Sequence, residues 1–342
     1  ILTQYGVFLL ETVTIVSAVV VILITFAKAL RSGPEEREGT LQVKKLKKRY
    51  ERLSWAIQEK TLSPEAYKAK AKEEKKKAKR ASKEKGSPEK DKKVYVLDFQ
   101  GDLRASPVEN LRQEITALLR VLTPRDEVVL RLESSGGLVH SYGLAASQLA
   151  RLKGRSAKLT VCVDRVAASG GYLMACVADT IVSAPFAIVG SIGVVATVPN
   201  FHRFLEKRDI NVEQITAGEF KRTLTLFGRN TEDGRAKFTQ QMEETHSLFK
   251  DYLARHRPQL DLEKVATGEH WLGSQAKELA LVDELKTSDD VLLEAAENAD
   301  LIHLRYKPSR SISGRLQRFL SKALRSAVTS ALEAAHRSPH DL

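Results

Sequence analysis

Short apolar runs alternate with longer amphipathic runs through the middle of the chain. The apolar runs begin at Val94, Val128, Leu159 and Ile181. The run after Val128 is continuously apolar, which is typical of a buried strand. An amphipathic run follows it over residues 138–152 and stops at Gly154, as a helix would. Repeated strand–helix units of this kind predict an α/β domain with a largely parallel, crossed-over sheet.

Three further segments complete this pattern. A helix capped by Ser106 is predicted from Pro107 to about Leu122, and a long amphipathic helix is predicted from Thr231 to Arg257. The apolar stripe of the long helix is expected to face the core or another subunit. The nearly apolar segment 184–198 contains a proline and two glycines and is too short to span a bilayer. We interpret it as buried strand and turn beneath the functional site.

The first apolar run, from Tyr5 to Ala27, is much longer than the others. It is interrupted only by Glu11, and a membrane-spanning helix needs about 20 such residues. We therefore predict a single-pass transmembrane anchor within residues 1–29. A cleaved signal peptide is the alternative, because residues 27–29 resemble a cleavage site; however, the run is long for a signal peptide and no basic segment precedes it.

The basic surplus of the chain follows this run directly. Residues 28–93 carry 23 Lys and Arg against 11 Asp and Glu, a surplus equal to the net charge of the whole chain, +12. We interpret residues 30–92 as a basic helical stalk and linker. Either a solvated helix or a segment held to anionic membrane lipid accounts for this composition; the two are compatible, and neither interpretation calls for nucleic acid. The positive-inside rule puts the following domain on the cytoplasmic face of a bacterial inner membrane, with the periplasmic face as the alternative.

One serine is predicted at a strand-to-helix corner. Ser169 opens a helix-like run, so its hydroxyl would lie among unpaired amides that stabilise negative charge. It is either a nucleophile or a helix cap, the commoner role of such a serine. The amides of Gly136 and Gly170 would together form an oxyanion hole with two donors. The alternative for the glycine pair that begins at Gly136 is a tight turn needing positive φ.

A serine hydroxyl is a weak nucleophile until a base removes its proton. Lys221 is the candidate base, since a desolvated lysine can accept that proton; a solvated surface lysine is the alternative. We assign no histidine to catalysis. The Gly-x-Ser-x-Gly elbow of Ser-His-Asp hydrolases is absent because Ala167 occupies its first glycine position.

Four motifs in register resemble the signal peptide peptidase A family of membrane serine peptidases, and within it the SohB branch. They are Ser134-Ser135-Gly136-Gly137, residues 166–172, residues 189–194 and Gly218-x-x-Lys221. The resemblance extends from the N-terminal run to about Tyr306. It implies a fold shared with Clp proteases and crotonases, built from repeated strand-strand-helix units.

The same resemblance implies a role for each candidate. Ser169 would be the nucleophile, Lys221 the base, and Ser191 the hydroxyl that orients the lysine amine. Gly136 and Gly170 would be the oxyanion donors. Ser135 stands where the family usually has proline, which loosens the turn without removing a donor.

These observations define four segments and a function. The segments are the anchor (1–29), the stalk (30–92), a peptidase domain (93–306) and a basic amphipathic tail (307–342) suited to a membrane surface or a partner. The function expected from the resemblance is a membrane-anchored serine endopeptidase that cleaves extended peptides such as signal-peptide or membrane-protein fragments. The peptide would add as a strand beside Gly137. We expect no metal and no cofactor.

Two other functions are weighed against this one. A crotonase-like acyl-CoA hydratase or isomerase would use the same oxyanion hole, but it needs catalytic carboxylates, and the four motifs offer no suitable pair. A membrane scaffold without catalysis is disfavoured because Ser169, Lys221 and Ser191 are all present.

The number of catalytic units bears on assembly. Double-length relatives of the family carry two copies of the unit, with serine and lysine contributed by different halves, whereas this chain carries one. We therefore predict a ring-shaped homo-oligomer in which Ser169 of one subunit meets Lys221 of the next.

Overall fold

A computed structural model describes residues 39–84, 92–154 and 157–309 of the chain. The strands are β1 (Thr40–Lys45), β2 (Lys93–Gln100), β3 (Glu127–Glu133), β4 (Lys158–Val163), β5 (Val166–Ala168), β6 (Thr180–Ser183), β7 (Ile188–Gly190), β8 (His270–Leu272), β9 (Glu284–Leu285) and β10 (Asp300–Lys307). The helices are α1 (Lys47–Thr61), α2 (Pro64–Glu84), α3 (Val108–Leu118), α4 (Val139–Lys153), α5 (Gly170–Ala175), α6 (His202–Glu206), α7 (Glu232–His256), α8 (Leu262–Val265), α9 (Gly273–Glu278) and α10 (Ser288–Asn298).

Two predicted segments lie outside the described residues, namely the anchor within 1–29 and the tail from residue 310 onward. Residues 41–306 form one compact unit. Across the ranges that the structure describes, no helix has the length and apolar character needed to cross a membrane.

The main sheet has seven strands in the order β1-β10-β2-β3-β4-β6-β9. Every pair from β10 to β9 is parallel, with Val96 opposite Val129 and Leu130 opposite Val161. The predicted α/β class and parallel sheet are therefore confirmed.

Helices cover both faces of this sheet. On β2, Tyr95, Leu97 and Phe99 pack in one cluster with side chains of α3 and α4, whereas Val94 and Val96 pack in another with side chains of α10. Because both faces are buried, neighbouring positions of a strand are all apolar, which explains the continuous runs in the sequence.

A second, small sheet positions the functional site. It has the order β5-β7-β8, in which β5 and β7 are parallel and β8 is antiparallel to β7. Ser134, just after β3, makes a parallel bridge to Ala167 of β5. The small sheet therefore lies against the carboxyl end of the main sheet, where parallel strands present their functional loops.

Two elements differ from the sequence-based predictions. The segment predicted as helical stalk includes strand β1 at the sheet edge, and the buried Leu46 beyond it donates its amide to the Leu301 carbonyl at 3.0 Å. The sheet therefore begins before residue 93. Helix α3 begins at Val108 rather than Pro107, and Pro107 rather than Ser106 occupies its N-cap position, while the Ser106 amide donates to the Asp102 carboxylate at 2.8 Å. It ends at Leu118, after which short turns replace the predicted last helical turn.

Candidate active site

Ser169 lies where β5 ends and α5 begins. Its backbone has φ 53° and ψ −120°, a region that residues other than glycine enter only at a cost. No hydrogen bond from its side chain caps the helix, so Ser169 does not play the N-cap role. The corner has the strained strand–turn–helix form of a nucleophile elbow, although Ala167 replaces the first glycine of that motif. The missing motif was therefore a poor guide to the geometry.

Ser191 lies beside Ser169 because β5 and β7 are parallel neighbours. Ala168 pairs with Gly190, and each serine follows directly. The Ser169 amide donates to the Gly190 carbonyl at 2.8 Å. Ser191 has φ 52°, nearly the same as Ser169. Backbone contacts thus hold the two predicted hydroxyl residues side by side.

The turn after β3 approaches Ser169 closely. Gly136 has φ 87°, and a Cβ at this position would lie 2.8 Å from the Ser169 Cβ and 2.7 Å from the Gly170 nitrogen. Only glycine fits there. The Gly136 amide donates to Ser134 Oγ at 3.1 Å, so this predicted oxyanion donor already has an acceptor.

Two other amides border the site. Gly137 and Gly170 both line the cavity beside Ser169, and within the described ranges neither amide donates to an acceptor. Gly170 is the first residue of α5, where helix amides are unpaired. The pair of available amides is therefore Gly137 with Gly170, one residue away from the predicted Gly136 with Gly170.

The cavity beside Ser169 has a volume of about 290 Å³. Its walls come from α4, α5 and α7 and include Val139, Leu173, Leu248 and Phe249. An apolar lining with a few polar groups at one end is typical of a site that binds an apolar side chain. The long helix α7 therefore contributes to this site as well as to the core, where Leu253 is buried.

Lys221 lies at a different cavity. That cavity has a volume of about 660 Å³ and is lined by residues between 198 and 227. The Lys221 side chain is exposed, so its own chain does not provide the desolvation expected of a lysine base. Its amide donates to the Gly218 carbonyl at 3.2 Å in a turn. The structure thus brings together four of the five predicted site residues and places Lys221 apart from them.

Sequence reasoning missed three residues of this site. Gly137 was predicted only as a neighbour of bound peptide, and Tyr142 and Ser134 were given no role. The Tyr142 hydroxyl lies 2.5 Å from Ser134 Oγ and donates to the Asp102 carbonyl at 2.8 Å. The available signal was the serine just before Ser135-Gly136-Gly137, with a tyrosine one helical turn into α4.

Comparisons with known proteins agree over nearly the whole chain. The family model described as the N-terminal part of peptidase family S49 matches residues 1–149, and the model described as peptidase family S49 matches residues 151–302. A "Probable protease SohB" of Haemophilus influenzae is 49% identical over 349 residues, which cover 98% of this chain and 96% of that protein.

A second "Probable protease SohB", of Buchnera aphidicola subsp. Acyrthosiphon pisum, is 55% identical over 67% of each chain. Among solved structures, a mutant of the "1510-N membrane-bound stomatin-specific protease" aligns with a TM-score of 0.42 and 11% identity, covering 64% of this chain and 99% of that one.

Proposed function

Because the chain belongs to peptidase family S49, we propose that it is a membrane-anchored serine endopeptidase with Ser169 as nucleophile and Lys221 as general base. The observation that carries this proposal is the geometry at Ser169. Its backbone is strained, its hydroxyl makes no capping hydrogen bond, and the unpaired amides of Gly137 and Gly170 line the same cavity. Strain at a non-glycine residue persists where the surroundings enforce it, and such residues cluster at active sites.

The reaction follows from these groups. Ser169 Oγ attacks the carbonyl carbon of the peptide bond while Lys221 Nζ takes the hydroxyl proton. The amides of Gly137 and Gly170 donate to the developing oxyanion. The C–N bond then breaks, and the protonated lysine returns its proton to the leaving amine. Water then attacks the resulting ester of Ser169 while its proton passes to Lys221. The ester C–O bond breaks, Lys221 returns the proton to Ser169 Oγ, and the carboxylic acid product leaves.

The position of Lys221 supports a site shared between subunits in a ring-shaped homo-oligomer. Lys221 is exposed at its own cavity, and large apolar side chains that line this cavity are exposed as well, with Ile215 at 93% and Phe227 at 48%. Soluble monomers rarely leave such side chains clustered in water. A neighbouring subunit that covers this region would desolvate Lys221 and place its amine near Ser169 of that neighbour.

Membrane attachment is proposed from the first 93 residues. The apolar run from Tyr5 to Ala27 supports an anchor, and basic side chains of β1 and α1 support contact with anionic lipid. The basic side chains surround one cavity and are those of Lys44, Lys45, Lys48, Arg49 and Arg52. Their position after the anchor supports a cytoplasmic catalytic domain, and the peptides cleaved would be extended membrane-protein or signal-peptide fragments.

The acyl-CoA alternative has less support. That chemistry needs carboxylates beside the oxyanion hole, and the described residues lining the Ser169 cavity include neither Asp nor Glu.

Cleavage of a fluorogenic peptide with an apolar residue before the scissile bond tests the proposal. Ser169→Ala and Lys221→Ala should each abolish turnover, since one removes the nucleophile and the other the base. Lys207→Ala, at another exposed lysine of the same region, should retain turnover. Activity that persists in Lys221→Ala would exclude this lysine as the base, and activity that persists in Ser169→Ala would exclude the mechanism.

A further inference from the structure

A chain of hydrogen bonds runs beneath the turn that carries Gly136 and Gly137. The Gly136 amide donates to Ser134 Oγ at 3.1 Å, and Ser134 Oγ lies 2.5 Å from the Tyr142 hydroxyl. The Tyr142 hydroxyl in turn lies 2.8 Å from the Asp102 carbonyl. Both side chains are buried, with Ser134 2% and Tyr142 0% exposed. The reaction described above uses neither of them.

The two ends of this chain fix its direction. An amide only donates and a carbonyl only accepts. The Tyr142 proton therefore goes to the Asp102 carbonyl, and the Ser134 proton goes to the Tyr142 oxygen. Burial raises the pKa of the Tyr142 phenol, so the hydroxyl keeps its proton at neutral pH. Each hydroxyl then donates one bond and accepts one, and such chains strengthen cooperatively in a low dielectric.

The far end of the chain is a firm anchor. The Asp102 carbonyl also accepts from the Ala105 amide at 2.9 Å. The Asp102 carboxylate accepts from the Arg104 and Ser106 amides at 3.1 and 2.8 Å. The loop to which Tyr142 is attached is therefore held by several bonds of its own.

The ring of Tyr142 contacts the backbone of Gly170, whose amide is the second available donor. A Cβ at Gly170 would collide with the Tyr142 ring, so the ring packs directly against that backbone. Tyr142 thus touches both sides of the site, through its ring at Gly170 and through Ser134 at Gly136. By contrast, the turn over residues 134–137 contains two glycines and no proline, so its backbone has little stiffness of its own.

We propose that Tyr142 and Ser134 are positioning residues for the oxyanion hole. They hold the Gly136 peptide, and thereby aim the next amide, that of Gly137, at the point where the Gly170 amide also converges. This inference rests on the proposed function, because an oxyanion hole matters only if Ser169 attacks a carbonyl. In this role the Tyr142 hydroxyl and Ser134 Oγ act through the Gly136 peptide.

The test compares full-length wild type with Tyr142→Phe, Ser134→Ala and the double variant. Peptide kinetics give kcat and KM, and hydrogen–deuterium exchange read by mass spectrometry reports on residues 134–138. Each single variant should lower kcat by roughly 10- to 100-fold with little change in KM, because a misplaced donor weakens binding of the transition state only. The double variant should lose no more than the worse single variant, since both cut one chain. Exchange over residues 134–138 should accelerate in all three.

Tyr172→Phe is the matched control. It also removes one buried phenol hydroxyl, which donates to the Leu281 carbonyl at 2.8 Å, and it should keep wild-type kcat and wild-type exchange over residues 134–138. Wild-type kcat and exchange in Tyr142→Phe and Ser134→Ala would overturn the inference, as would an equal loss of kcat in Tyr172→Phe. A wild-type protein that cleaves no peptide would instead contradict the proposed function. Exchange alone then decides only whether Tyr142 and Ser134 hold the turn: faster exchange in the variants would show that they do, and unchanged exchange would show that they do not.

Discussion

At the scale of single residues, the strained backbone of Ser169 lowers the stability of the fold, although the proposed reaction needs this residue. Its φ of 53° and ψ of −120° suit glycine. Ser169→Gly should therefore abolish peptide cleavage and raise the free energy of unfolding by about 1 kcal/mol, the strain relieved less the entropy cost of glycine. Urea unfolding measures the stability, and Ser169→Ala should lose activity without this gain. A Ser169→Gly variant no more stable than Ser169→Ala would show that the corner is unstrained.

The sequence predicted the reactive residues better than the residues that hold them in place. Ser169 and its glycines stand in short motifs whose chemistry is local, so their spacing was informative. The pairing of the Gly136 amide with Ser134, and of Ser134 with Tyr142, depends on how a turn folds against α4. No periodic pattern in the sequence predicts that contact. Nor can a positive φ at Ser169 be predicted from the sequence, because serine rarely adopts it.

At the scale of elements, the junction of α3 with β10 contains a buried acid. Glu114 of α3 is 4% exposed and accepts from the Tyr306 amide of β10 at 2.7 Å. Burial raises the pKa of this carboxyl from 4.5 to about 7, and the nearby Asp98 adds to the shift. The folded state therefore binds the Glu114 proton more tightly than the unfolded chain. The resulting stability is complete below about pH 4.5 and is lost as pH rises through 7.

Replacing this acid tests the junction. Glu114→Gln keeps an acceptor for the Tyr306 amide and cannot ionise, so at pH 8 it should be more stable than wild type by up to about 3 kcal/mol. At pH 5 the two proteins should differ little. Urea unfolding at both values measures the difference, with Glu109→Gln on the exposed side of α3 as the control. A stability difference that is the same at pH 5 and pH 8 would contradict the buried, proton-binding carboxyl.

Elements were predictable where burial imposed a long pattern. Strands β2, β3 and β4 and helices α4 and α7 appeared in the sequence because each buries a continuous run or stripe. Strand β1 was missed because it lies at the sheet edge within a basic segment, where Val43 is 60% exposed. Strands β5 and β8 have only three residues each, too few for a period of two to be distinguished.

At the scale of the whole molecule, the charge distribution predicts the orientation in the membrane. The basic surplus over residues 28–93 follows the predicted anchor, so the catalytic domain should remain cytoplasmic. Protease added to spheroplasts that express the full chain should leave the domain after Gly86 intact. Digestion from the periplasmic face, while a cytoplasmic marker protein stays protected, would reverse this orientation.

The separation of Lys221 from Ser169 also belongs to this scale. Sequence motifs identified both residues, but whether they meet within one chain or between two depends on assembly, which leaves no periodic signal. In the single chain Ser169 lines a mostly apolar cavity, and Lys221 is exposed at another cavity among exposed apolar side chains. We therefore propose that the Ser-Lys pair is completed by a neighbouring subunit.

Mixing two inactive variants tests this claim most directly. Ser169→Ala protein keeps Lys221, and Lys221→Ala protein keeps Ser169, so subunit exchange between them should create sites with both groups. Random exchange of equal amounts should complete about a quarter of the sites, so peptide cleavage should recover to about a quarter of wild-type activity. The double variant Ser169→Ala/Lys221→Ala should give no activity with either single variant. Its mixture with Ser169→Ala contains no Ser169, and its mixture with Lys221→Ala contains no Lys221. No recovery in the mixture of single variants, with exchange verified by mass spectrometry, would contradict the account.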